Sequence, residues 1–221
     1  YADKDWIPAL NGIWFFQQGN TIAPYSELVV NVHGAIDNTP TYSNSINYAN
    51  TAYYCMYDME ATSSDGGKYN NTRYYPSPAD VIATNHYLKA VKYGKSNAWP
   101  MSQTSPAVIL FRTEDITPKQ FGENPDNIIY PTGNEGNIVY ACLKMPRRWV
   151  IDAMEVYNAT ALAKCKKRLT PDLDNGYATL TGGYGHSLIR KVEKTVDGHA
   201  IYQDTNNSTN DFYEADNCSL R

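Results

Sequence analysis

Along most of the chain, apolar and polar positions alternate over short runs with the two-residue period of β-strands. GIWFFQQ (12–18) and ELVVNVH (27–33) are two such runs; Gly19-Asn20 and Ala23-Pro24 lie between them, so they read as strand, turn and strand. AYYCMYDM (52–59) is a further dense β run, followed by the Gly/Pro-punctuated loop 63–80. HYLKAVKYG (86–94) alternates weakly, and AVILFRT (107–113) has the continuous apolar character of a buried strand. A long turn region covers 124–137, and strands are expected in 137–144 and 148–157. Alanine, leucine and lysine make ATALAKCKKRL (159–169) the one convincing helix. HSLIRKVEK (186–194) and HAIYQD (199–204) close the pattern as two strands joined at Asp197-Gly198, a strong hairpin signal. Many short strands with Gly/Pro turns, and no internal repeat, predict a mainly β protein: one sandwich domain with long loops and one short helix.

At 221 residues and 42% hydrophobic content, the chain is long enough and apolar enough for a real core. A net charge of −4 and the lack of any arginine stripe argue against nucleic-acid binding. The apolar runs fall far short of a membrane-spanning helix. Tyrosine is the unusual component, 19 residues against 5 Phe and 4 Trp. Rigid amphipathic rings suit both the wet face of a sheet and a recognition surface. The loop tyrosines Tyr69, Tyr74 and Tyr75 are therefore the candidate ligand-binding residues, placed to stack on sugars or planar ligands or to anchor their own loop.

Motifs for chemistry are weak. GGYGHSL (182–188) has Leu188 where a dinucleotide loop needs its third glycine, and it leads into a strand; as a nucleophile elbow it has Ile189 where a glycine is required. A turn before a strand explains these glycines. His33, His86, His186 and His199 are scattered, without metal-ligand spacing. Asp172 and Asp174 fall in a Pro/Gly turn; with a histidine they would supply a glycan-active hydrolase, which is the enzymatic alternative. KCKKR (164–168) reads as a solvated basic face that could meet anionic lipid heads. Cys55, Cys142, Cys165 and Cys218 form no zinc pair; two disulfides and four independent thiols both fit.

In DTNNSTND (204–211), Asp204, Asn206, Ser208 and Asn210 alternate like the first ligands of a calcium loop. Thr209 and Ala215 stand where that loop needs Gly and Glu. A structural turn with Asp204, Asn206, Ser208, Asn210 and Asp211 as capping groups is expected, with a surface cation as the minority role. Asn70, Asn158, Asn206, Asn207 and Asn217 head glycosylation-type sequons. No cofactor or metal is implied.

Taken together, Gly185-x-Ser187-Leu188-x-Arg190, then Asp204-Thr205-Asn206-Asn207-Ser208 and Asp211-Phe212, resemble the end of bacterial lamin-tail-like domains. Ile22–Val30 resembles their turn into a strand, with Tyr25 for the usual glycine, and Trp149–Ala153 is similar to a later strand. The segments 35–37, 44–45, 105–112, 167–177, 187–192 and 203–212 resemble, more closely, a family of uncharacterised Bacteroidetes-type surface lipoproteins. The acids of that family's pattern are absent from 47–54 here. The resemblance implies an immunoglobulin-like (lamin-tail-like) sandwich over 1–221, completed by a strand segment preceding Tyr1. It also implies export, an N-terminal lipid anchor and an outer-membrane, cell-surface location, and it carries no enzymatic activity. A chain that starts at Tyr1 without a leader then reads as a processed or truncated product. The expected role is non-enzymatic binding of a small molecule or glycan, as an accessory to a TonB-type nutrient transporter or another surface lipoprotein. A structural or adhesive subunit of a surface assembly is the alternative.

Overall fold

The structure, a computed structural model, describes residues 1–32, 37–58, 60, 82–93, 102, 104–181 and 185–218. Tyr69, Tyr74 and Tyr75 lie outside them, as do His33 and residues 182–184 of the 182–188 motif. The described chain is mainly β, with small open sheets and few short helices. Its strands are β1 (Trp6–Leu10), β2 (Gly12–Phe15), β3 (Val30–Asn31), β4 (Tyr54–Cys55), β5 (Lys89–Lys92), β6 (Ala107–Phe111) and β7 (Ile128–Ile129). They continue with β8 (Cys142–Pro146), β9 (Val150–Asn158), β10 (Ala178–Leu180), β11 (Ser187–Arg190), β12 (Val192–Val196), β13 (His199–Tyr202) and β14 (Phe212–Ala215). Two α-helical turns, α1 (Pro118–Glu123) and α2 (Ser208–Asp211), join them. No helix among the described residues is long and apolar enough to cross a membrane. The chain divides into two compact units.

The first unit comprises residues 1–37, 47–100 and 113–149. In its sheet, β8 lies between β1 and β7, antiparallel to both. Ile7 stands opposite Met145, and with Leu143 they fill the core. Pro8, which cannot donate to a ladder, sits on the edge strand where that loss is tolerated. β1 and β2 are separated by Asn11, and Asn11 and Gly12 both have positive φ (64° and 108°). β2 then pairs antiparallel with β5, from Gly12 opposite Lys92 to Phe15 opposite Lys89. The strand expected over 27–33 shortens to β3, which pairs in parallel with β4 instead of with β2. Nearness in sequence does not decide that partner. α1 begins with a capping box: Thr117 accepts from the Gln120 N–H while the Gln120 side chain accepts from the Thr117 N–H. Phe121 on its inner side meets Trp149 edge to face, centroids 4.8 Å apart.

The second unit comprises 38–46, 101–112 and 150–221. β9 is its central strand, antiparallel to β6 and parallel to β10. β6 is an edge strand, and Val108 and Leu110 are 45% and 53% exposed, so the run expected to be buried covers the core with one face only. β11 pairs with β14, and β12 with β13. The β12–β13 turn is the expected hairpin: Asp197 and Gly198 have φ of 50° and 80°, the two positive values of a type I′ turn. The helix expected over 159–169 does not form. Asn158 turns its side chain onto the Thr160 N–H, Ala161 leaves helical geometry, and only a 3-10 segment covers Ala159–Lys164. The Arg168 and Leu169 N–H groups bond the Glu155 carboxylate, so they are not available to a helix.

Candidate functional site

A cavity of about 260 Å³ lies in the first unit where the chain enters β5. Its rim is built by amides. The Gln17 side chain, just past β2, donates to the Thr84 and Tyr87 carbonyls at 2.9 and 2.6 Å. Asn20 donates to the carbonyls of Gln17 and Asn85 at 3.1 and 2.9 Å. These bonds hold the 3-10 turn Thr84–His86 against the β2 end. His86 stacks on Tyr54, centroids 4.2 Å apart, and the Tyr54 hydroxyl donates to Asn20, which stiffens that edge.

Asp58, Glu60 and Lys89 supply the charge. The Asp58 side chain is only 5% exposed, accepts from the Ala90 N–H at 2.9 Å and lies 3.4 Å from the Lys89 ammonium. Lys89 donates to Glu60, 81% exposed at the mouth, at 2.7 Å. Burial alone would lower the lysine pKa, but the Glu60 hydrogen bond and the two nearby carboxylates outweigh it and hold the ammonium above its ordinary value of 10.5. Lys89 is therefore a fixed cation, not a base. Tyr57 and Tyr87, edge to face at 6.1 Å, form the apolar wall. The cleft combines donors, acceptors and ring surface.

A family model described as "Protein of unknown function (DUF4876)" matches residues 23–219. The chain belongs to the DUF4876 family. A crystal structure of a DUF4876 family protein from Bacteroides thetaiotaomicron VPI-5482 is similar to it with a TM-score of 0.70 and 21% sequence identity. The alignment covers 96% of this chain and 55% of the other, so the chain spans little more than half of that relative's length. No curated protein matches. An uncharacterised Bacteroidetes family is what the motifs resembled.

The acids singled out in the sequence lie in the second unit of this DUF4876 domain. Asp174 is fully buried; its oxygens accept from the Gly176, Ser208 and Glu155 N–H groups and from the Ser208 hydroxyl, at 2.6–2.9 Å. Gly176 packs closely beside it: a Cβ there would stand 2.0 Å from the Asn207 side-chain oxygen, so that side chain would have to move. Asp172 is exposed, and so is His199. His186 is paired at 2.7 Å with Glu214. Asp174, the buried one of the two acids, is thus taken up by backbone N–H groups and the Ser208 hydroxyl. Glu155, also buried, binds the Lys167 ammonium and the N–H groups of Arg168 and Leu169. No sequence signal marked it, since an acid inside an apolar strand looks like an alternating surface residue.

In the Asx-rich stretch, Asp204 accepts from the Asn206 N–H, Asn206 is left-handed at φ 52°, and Asn207 caps α2 through the Thr209 N–H. Ser208 faces Asp174, and the Asn210 carbonyl takes Gln203 and Lys191. Asp211 accepts from the Thr205 N–H and hydroxyl, Gln203 and the Asn207 N–H. Ser208 and Asp211 are buried among these bonds, whereas Asp204, Asn206 and Asn210 stay exposed. Among the described residues no group of three or more His, Cys, Asp or Glu could hold a metal. All four cysteines are thiols: Cys55 and Cys142 are buried, which pushes their pKa up, and Cys165 donates to the Thr104 carbonyl at 3.2 Å. In KCKKR, Lys167 and Arg168 are engaged within the fold, the latter with the Ser105 carbonyl.

Asp211 and Glu214 give a pH prediction. Burial raises both pKa values, but it is outweighed by the accepted hydrogen bonds, from Thr205, Gln203 and Asn207 in one case and from Thr181 and His186 in the other, so both end below their ordinary 3.8 and 4.5. A depressed folded-state pKa contributes stability that is present above the unfolded value and lost as pH falls through the folded one. Urea midpoints should hold steady down to the mid-4 range and then fall. Thr205→Val and Thr181→Val should flatten that fall, and a wild-type midpoint constant between pH 5 and pH 3 would contradict the assignment.

Proposed function

We propose that this DUF4876 domain is a non-enzymatic binding domain, exported and lipid-anchored on the outer membrane, and that its cleft beside β5 takes a small ligand. The observation that carries the reading is the cleft itself: pre-formed, lined by fixed charges and tyrosine rings, and braced by amide bonds to backbone. Asp174, buried with four hydrogen bonds, favours it over a glycan-active hydrolase built on Asp172 or Asp174 with a histidine. The surface location and the immunoglobulin-like, lamin-tail-like form of the sandwich rest on the motif resemblance. They suit an accessory subunit of a TonB-type nutrient transporter. Extraction of native membranes in mild detergent, capture of this protein and mass spectrometry test that role. A transporter is expected in stoichiometric amount; recovery of the protein alone, in the soluble fraction, would overturn it.

A further inference from the structure

We infer that the run from Leu162 to Arg168, in the second unit, is a contact for an anionic lipid surface; it rests on neither the cleft nor the transporter role. Local geometry comes first. The 3-10 segment Ala159–Lys164 gives way to extended backbone at Cys165 (φ −73°, ψ 146°), whose thiol is held by the Thr104 and Ala161 carbonyls at 3.2 and 3.5 Å. The residues on either side of this anchor, Lys164 and Lys166, are exposed. Neither ammonium has an ion-pair or hydrogen-bond partner among the described residues. Leu162, two residues before Lys164, is 48% exposed.

Charge selects the partner. The whole chain carries −4, yet four cations fall within 164–168 and no acid lies anywhere in 156–171. Glu155 neutralises Lys167, while Arg168 holds the Ser105 carbonyl in a bond that leaves its charge intact. A basic patch on an acidic molecule is complementary to a dense negative surface. The leucine beside it adds an aliphatic group that a soluble anion has no use for. At a bilayer, that group enters the acyl boundary while the ammoniums stay among the phosphates. A few cations and one leucine give a weak, reversible contact, which orients a domain more than it holds it.

The test mixes the full chain with vesicles of phosphatidylcholine alone, or with about one-quarter phosphatidylglycerol, and reads binding by flotation at high lipid concentration. Only the anionic vesicles should carry the chain, and less of it as salt rises. Lys164→Gln with Lys166→Gln should weaken binding about 25-fold, about fivefold for each lysine. Leu162→Ser should weaken it about threefold. All three positions are exposed, so urea midpoints should match the wild type, which separates lost binding from lost fold. Equal binding to both vesicles, binding to neither, or wild-type binding by the double lysine variant would overturn the contact. Displacement by inorganic phosphate at constant ionic strength would reveal a discrete anion site in its place. Unchanged binding of Leu162→Ser would overturn the lipid assignment in favour of a soluble polyanion.

Discussion

Replacing Asp174 with alanine is expected to destabilise the second unit by about 3–5 kcal/mol, a large part of the roughly 5–15 kcal/mol that holds a domain together. Three main-chain N–H groups, of Glu155, Gly176 and Ser208, converge on this carboxylate from three separate segments, and the residue is inaccessible to water that could replace it. Each buried donor left without an acceptor costs on the order of 1–3 kcal/mol. Ser208→Ala removes only the hydroxyl bond and should cost about 1–2 kcal/mol. Urea titrations of the full chain, followed by a probe in the second unit, check both values. A wild-type midpoint for Asp174→Ala would mean that the carboxylate is not the tie these distances describe.

The second large effect is at Gly12. A Cβ there would stand 2.0 Å from the Val91 carbonyl oxygen and 2.9 Å from its carbon, both backbone of the paired strand β5. Backbone cannot swing aside as a side chain can, and the φ of 108° is itself unfavourable for any other residue. Gly12→Ala should therefore cost about 3 kcal/mol or more and open the β2–β5 pair. Gly19→Ala is the matched control: its φ is 92°, but nothing lies within 4 Å, so only the conformational cost of about 1 kcal/mol applies. Hydrogen exchange should show lost protection along 12–15 and 89–92 for the first variant alone. Equal effects of the two substitutions would exclude the clash. Gln17 lies just past β2 and Lys89 begins β5, so the cleft should loosen with Gly12→Ala.

The strands around 12–15, 107–111, 150–158, 187–190 and 199–202 were legible because each carries its own periodicity or turn signal, Asp197-Gly198 above all. Partnership was not. β2 meets β5 and β3 meets β4 across long stretches of chain, which no local pattern encodes. Segment 159–169 shows local and tertiary contacts overriding propensity: Ala161 leaves helical geometry within the 3-10 segment Ala159–Lys164, and Glu155 claims the N–H groups of Arg168 and Leu169 beyond it. Thr117-Pro118-Lys119-Gln120 was a readable capping box that the strand-dominated pattern hid. The motif resemblance now has a physical content. Arg190 lies over the Phe212 ring, bonds Asp152 at 2.8 Å and reaches Asp204 at 4.0 Å, so widely spaced motif residues meet at one point. The cleft had no such trace, since Gln17, Asp58 and Lys89 become neighbours only through strand pairing.

The β12–β13 ribbon has a practical consequence. Every residue of β12 is solvent-exposed, and around the turn at Asp197-Gly198 a Cβ on Gly198 would touch nothing. Such a tip can accept a short epitope tag between those two residues while both strands keep their register. Antibody staining of intact cells would then report whether the domain is exposed outside the cell, with no need to disturb the cleft, the buried carboxylates or either chain terminus.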